Sequence, residues 1–243
     1  MFARYAIQRR PFGRFLTLLP ATLLLASTAL CQQTIINRFD AFSGFTYLNS
    51  PHIGLSEQGA HLQTGYRPMT WLSLGIDYSF ATGTVTLTPD MLLSSLQQSL
   101  GQQLAVLVKL GVLPSAYKVA VPTHSQTQTF AAGPQVSYHH FQHLTLFARP
   151  SAGFMREMAT PHPTDAITKS IIAQLEPSGR KLDWVKFYGF GAGVDLFPQK
   201  PVALRVQFDL VRDHLFNDLL KDARNTVRIS IGPAFNFGKN IVD

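Results

Sequence analysis

The chain has 243 residues, room for one large domain or two small ones, with only 14% charged residues against a usual quarter and as many as 18 phenylalanines. Its formal charge of +7 first suggests a polyanion partner. However, four of the 21 basic residues (Arg4, Arg9, Arg10, Arg14) lie in an N-terminal segment read here as removed, leaving 17 basic against 14 acidic residues, or +3, which is no nucleic-acid-binding signature.

Residues 1–31 read as a secretory signal. Basic residues are followed by an apolar core from Phe15 to Leu25 and then by Ala26, Ser27, Thr28 and Ala29. Cleavage after Cys31 places Ala29 and Cys31 at the small positions and leaves 32–243 as the mature domain; cleavage after Ala29 is the alternative. A lipoprotein reading would lipidate Cys31, although Leu30 before it is bulky for such a site. Under the first reading the mature chain has no cysteine and no disulfide. No later run of about 18 apolar residues predicts a membrane helix. A secreted, aromatic-rich, low-charge chain without a helical span points to a transmembrane barrel.

In chain order, the alternation of apolar and polar residues predicts eight strands. The first is Phe39–Leu48, imperfect because Phe42 falls in phase with Asp40 and Gly44; a loop follows through Asn49–Ser56. The second is Ala60–Arg67, with Leu62, Thr64 and Tyr66 opposite His61, Gln63 and Arg67. The third, Trp71–Phe80, sets Leu72, Leu74, Ile76, Tyr78 and Phe80 against Ser73, Gly75, Asp77 and Ser79. After a long excursion (81–125) comes Gln126–Tyr138, then Leu144–Phe154 with Arg149 on its polar face. A second excursion (155–183) leads to Trp184–Phe197, where Gly189, Gly191, Gly193 and Asp195 share a face. Val202–Val211 places Arg205, Gln207 and Asp209 together, and Asn225–Phe237 closes the set with Arg228 on its polar side.

Links after the second, fourth and sixth strands are short and the others longer, the asymmetry of outer-membrane barrels. Three features favour such a barrel over a soluble sandwich. The polar faces mix Gly and Ser with ions of both signs, and only three glutamates (Glu57, Glu157, Glu176) occur in the chain. Aromatic residues cluster toward strand ends, as interfacial girdles require. Pro134, Pro150 and Pro233 fall mid-strand in the apolar phase, which is awkward in any sheet. The expected fold is all-β: an eight-stranded antiparallel up-and-down transmembrane barrel with helical insertions in two external loops.

The stretches Gly133-Pro134-Gln135-Val136-Ser137-Tyr138 and Ile231-Gly232-Pro233-Ala234-Phe235-Asn236-Phe237 resemble the small outer-membrane β-barrel family related to the OmpA transmembrane domain, over residues 39–238. The resemblance implies an eight-stranded barrel in the cell outer membrane, in contact with its lipid and inserted by the assembly machinery that recognises an aromatic-ended last strand. That family usually ends on the terminal aromatic, whereas here six residues follow Phe237.

For function, a narrow barrel would bring Arg67, Asp77, Arg149, Asp195, Arg205, Asp209 and Arg228 into one lumen charge network, either a mutually satisfied plug or a conduit for small ions. In the first excursion, Thr88-Pro89-Asp90 resembles a helix start and Leu92, Leu96, Leu100, Leu104 and Leu107 or Val108 recur at helical spacing; Gly101 and Gly111 interrupt or end it. In the second, Thr164-Asp165 would cap a helix carrying Ile167, Ile171 and Leu175. These segments (89–113 and 164–176) either pack on each other above the barrel or offer an apolar face to the leaflet or a surface partner. His139, His140 and His143 cluster as a weak metal candidate without an acid or cysteine beside them. Asp213-His214 is the only thin catalytic pair, so no enzyme and no cofactor is expected. The expected role is structural or surface-interactive, with a small channel as the alternative and an outer-face lipid- or peptide-acting enzyme behind it.

Overall fold

A computed structural model describes residues 33–242 apart from residue 199 and residues 221–223. Residues 1–31, expected above to be a secretory signal, lie outside the described residues, Cys31 included. Eight strands follow in order: β1 (Asn37–Ser50), β2 (Leu55–Met69), β3 (Leu72–Leu87), β4 (Val121–Phe141), β5 (Leu144–Pro161), β6 (Lys181–Leu196), β7 (Val202–Asp213) and β8 (Arg224–Asn240). Each pairs antiparallel with the next, and β8 pairs with β1, which closes the barrel and leaves no free edge.

The barrel is built inside out. Apolar residues of the alternating pattern face outward, with Ile76 62%, Leu74 53% and Phe208 48% exposed, while Arg205 is 0% and Arg149 1% exposed. A water-soluble barrel would bury the first set and solvate the second. The exposed belt includes residues of all eight strands, from Phe45 on β1 to Ile231 on β8.

The strands are longer than their alternation alone predicts, especially β4 (21 residues) and β5 (18 residues). A tilted strand crosses a bilayer in about 9–11 residues, so the surplus projects as a wall above the external end. The third strand continues to Leu87, paired with Val121, because Thr82, Thr84 and Thr86 keep the alternation with polar outward residues. The two excursions are therefore shorter than expected, at 88–120 and 162–180. One expectation is corrected: the link after β1 is not long. Ser50 pairs with Leu55, and Pro51–Ile53 makes a single 3₁₀ turn ended by Gly54 in the left-handed region (φ 62).

Both insertions are helical. α1 (Ser94–Lys109) starts later than the Thr88-Pro89-Asp90 signal, which instead forms a separate 3₁₀ turn at Pro89–Met91. It runs through Gly101 without interruption, and Gly111 at φ 71 follows its end. α2 (Ala166–Leu175) is capped by Asp165, whose carboxylate accepts from the N–H groups of Ile167 and Thr168 while the Thr168 hydroxyl accepts from the Asp165 N–H. No described helix is long and apolar enough to cross a membrane.

Past Phe237, Asn240 and Ile241 find partners. Asn37 pairs with Asn240, the Asn240 side chain accepts from the Ile36 N–H (2.9 Å) and donates to the Thr34 carbonyl (3.0 Å), and the Ile241 N–H donates to Ile36. They tie the N-terminal segment to the last strand.

Candidate functional site

The lumen is filled rather than open. Inward positions along the strands come from the polar phase of the alternation, so ions of both signs from different strands meet in a space that excludes water. Near the periplasmic end, Arg205 of β7 grips Asp195 of β6 with two bonds (Nε–Oδ1 2.7 Å, Nη2–Oδ2 2.8 Å) and Asp40 of β1 with a third (3.0 Å). Arg67 of β2 donates to the same Asp40 oxygen at 2.9 Å. The Arg205 guanidinium lies over the rings of Phe147 (4.9 Å) and Phe42 (5.8 Å).

Higher in the barrel, Arg149 of β5 pairs with Asp77 of β3, and Arg228 of β8 pairs with Asp209 of β7 at 3.0 Å. Arg228 also reaches Asp77 at 3.7 Å and donates to the Ser79 and Thr129 hydroxyls at 3.2 Å each. The Gln207 amide bridges both Asp209 oxygens at 2.9 Å. All seven residues singled out from the sequence are buried here, and each has an oppositely charged partner.

Sequence reasoning missed the centre of the lower cluster, Asp40, together with Phe42, His61 and Gln207. The first strand's imperfect alternation carried the signal. Phe42 shares the inward phase of Asp40 because an aromatic plate is needed under Arg205, packed on Ala203 and Ala234, while the facing Gly44 leaves room for its ring. His61 is buried between the Phe42 ring (5.3 Å) and the Ser230 hydroxyl (3.0 Å), with its Nε2 3.9 Å from Asp77.

Both ends are stoppered. At the periplasmic end Gln33 donates to the Phe141 and Leu144 carbonyls and to the Thr145 hydroxyl, and its side-chain oxygen meets His139 Nδ1 at 3.1 Å. At the external end Ile53, Leu55, Met155, Phe187, Leu215 and Phe216 form an apolar core across the mouth. Above it lies a cavity of about 100 Å³, lined by Leu100 of α1, Ile171, Ile172 and Leu175 of α2, and Leu219 and Leu220 of the β7–β8 loop. The two helices thus share one apolar cap, pinned by the Leu93 N–H to Leu219 carbonyl bond (2.8 Å) and by the Tyr117 hydroxyl donating to Asp165 (2.9 Å). On the far side Val106, Leu110 and Val112 are exposed.

The other candidates separate. His139 turns toward Gln33 and Thr145, His140 stacks on Tyr138 and His143 meets Phe197, so the three histidines do not converge; among the described residues no group of three His, Cys, Asp or Glu is placed to hold a metal. Asp213 is buried and accepts from the Leu215 N–H and the Thr226 hydroxyl, whereas the neighbouring His214 is exposed. They do not form a nucleophile–base pair.

No protein-family model matches the chain, and no match is found among curated protein sequences. Among solved structures, Neisserial surface protein A is similar over 82% of this chain and 96% of its own, at 12% identity and a TM-score of 0.50. The attachment invasion locus protein Ail of Yersinia pestis (11% identity, 83% and 100% covered, TM-score 0.42) and the N-terminal barrel domain of Pseudomonas aeruginosa OprF (11%, 83% and 98%, 0.40) follow. The likeness is one of fold. Strand number, inverted polarity and closure are those of a small transmembrane β-barrel.

Proposed function

We propose that this is a plugged outer-membrane barrel whose role is structural or surface-interactive, working through its external helical cap rather than through its lumen or through catalysis. The observation that carries this reading is the unbroken filling of the interior, with a Gln33–His139 stopper, two tiers of arginine–aspartate pairs and an apolar cap in series. An ion crossing it would have to break buried pairs whose remaining charges have no water to replace their partners, a cost of several kcal/mol at each tier. The cap supports the second half of the proposal. It holds α1 and α2 on a wall of strands above the belt, so the outer surface of α1 and the turn after it, with Val106, Leu110 and Val112, is presented to a partner of the cell surface. Removal of residues 1–31, leaving 32–243 as the mature domain, belongs to the same reading.

Planar-bilayer recording of the refolded protein tests it. A silent bilayer, from protein that migrates faster on gels before boiling than after, is the expected result. Steady unitary conductance reproduced between preparations would overturn the plugged-barrel reading in favour of a channel.

A further inference from the structure

The outward charges of the strands are sorted by sign. Strand carboxylates, from Asp40 to Asp213, all take the inward phase, so none faces the bilayer. Cations do face it. At the external rim of the apolar belt the outward residue is a neutral amide on several strands, as in Asn49, Gln58 and Gln128. On the three neighbouring strands β5, β6 and β7 it is Arg156, Lys186 and Arg212.

The register sets these three in one diagonal row. Arg156 stands opposite Trp184, two residues from Lys186; Arg212 stands opposite Tyr188, two residues from Lys186 on the other side. Such diagonal neighbours lie about 7–8 Å apart, within reach of one multiply charged headgroup. Among the described residues none of the three makes an ion pair; the outward face supplies no acid to pair with. Arg156 is held in place instead by Gln128 (3.4 Å) and by the Trp184 ring (5.7 Å), and its Nε is shielded from solvent without a hydrogen-bond partner. Phe154, Tyr188 and Phe190 lie just below in the belt.

We infer that the β5–β7 face is a binding site for the phosphorylated headgroup of an outer-leaflet glycolipid. The acyl chains run down the aromatic part of the belt, and the phosphates are held by the Arg156 fork, Lys186 and Arg212. Uncompensated cations on a lipid-facing wall match only an anion that arrives with the lipid, and guanidinium groups bind phosphate through paired N–H donors. The site rests on the bilayer placement of the barrel and is independent of what the external helices bind.

Native mass spectrometry of the detergent-refolded protein titrated with bisphosphorylated lipid A, and in parallel with dephosphorylated lipid A, tests the site. Each cation near an anionic lipid surface contributes roughly fivefold in affinity. The Arg156→Gln, Lys186→Gln, Arg212→Gln triple variant should therefore bind the phosphorylated lipid on the order of a hundredfold more weakly. Lys239→Gln, an exposed cation at the opposite end of β8, should bind like the wild type. Equal binding of both lipids by the wild type, or undiminished binding by the triple variant, would overturn the proposal. Should the triple variant lose heat-modifiable migration, the single variants carry the test: a drop of about fivefold in each supports the site, and no drop in any of them removes it.

Discussion

At the scale of single residues, Arg205 is the most exacting position. It is fully buried, makes two bonds to Asp195 and one to Asp40, and lies against two aromatic rings. Arg205→Met keeps much of the volume but strands the Asp195 carboxylate in a buried space and leaves Asp40 with Arg67 alone, which should cost about 3–5 kcal/mol. Adding Asp195→Asn to the same chain removes the stranded charge, with Asp40 still paired to Arg67, and should recover most of that loss. Urea unfolding in lipid vesicles, followed by tryptophan fluorescence, compares the wild type with both variants; a double variant no better than the single one would show that packing, not charge, is what Arg205 supplies. A second residue prediction concerns pH. Backbone hydrogen bonding from Thr168 first, and the Tyr117 hydroxyl after it, hold the exposed Asp165 carboxyl below the usual carboxylate range. A folded-state pKa below the unfolded one means a contribution fully present at neutral pH and lost as pH falls through the lowered value. The N-terminal turn of α2 should therefore fray only in strongly acidic solution, while Asp165→Ala frays it at neutral pH. Amide chemical shifts of residues 166–175 report both states, and an α2 whose shifts ignore the substitution would sink the capping argument.

At the scale of elements, the weak seam is where the barrel closes. Pairing between β1 and β8 runs from Phe39 to Phe42, stops, and resumes at Phe45 opposite Ile231. Pro233, which has no N–H to give, lies in that gap, and there Gly44 and Gly232 approach so closely that a Cβ on Gly232 would meet Gly44 Cα and the Ser43 carbonyl at 2.5 Å each. Gly232→Ala should therefore destabilise the barrel by roughly 1–3 kcal/mol, because backbone on a second strand must move. A lower thermal midpoint for loss of the fast-migrating gel form checks this, and an unchanged midpoint would mean that the seam is compliant. The other two mid-strand prolines have a related account. On the β4–β5 seam the ladder runs to Ala132–Ala152 and resumes at Val136–Ala148, so Pro134 and Pro150 fall opposite each other in one gap. Two prolines spoil the ladder at a single place instead of two. The eight strands and their phase were legible because lipid on one side and buried ions on the other enforce period-two alternation. Strand ends were not legible, since above the bilayer β3, β4 and β5 are solvated outside and the alternation fades into Thr and Gln. Asp40 was hidden for another reason: its strand carries Phe42 inward to plate Arg205, which looks like broken alternation unless the partner strand is known.

At the scale of the whole molecule, the question is whether the external cap and the barrel are one folding unit. Leu87 and Val121 are the last paired residues of β3 and β4, so the two ends of the 88–120 excursion already lie side by side. Nothing in the sheet depends on the intervening residues for its register, and a two-residue Asn-Gly turn can bridge such a pair. What the excursion adds is apolar cover, with Leu92 and Met91 packing on the mouth core and Leu100 lining the cavity. Burial of one such side chain contributes about 1.5–3 kcal/mol when complete, and most of these are only partly covered. Replacing residues 88–120 by Asn-Gly should leave the heat-modifiable barrel, its silence in a planar bilayer and its lipid A binding intact, while lowering stability by about 2–4 kcal/mol. Any surface partner that docks on α1 should be lost with it. The lumen network explains the asymmetry: charge pairs span from β1 to β8 and hold the cylinder without help from the loops. A loop-replaced chain that opened steady channels would locate the plug in the cap. One that failed to insert into lipid would show that cap and barrel fold as a single unit.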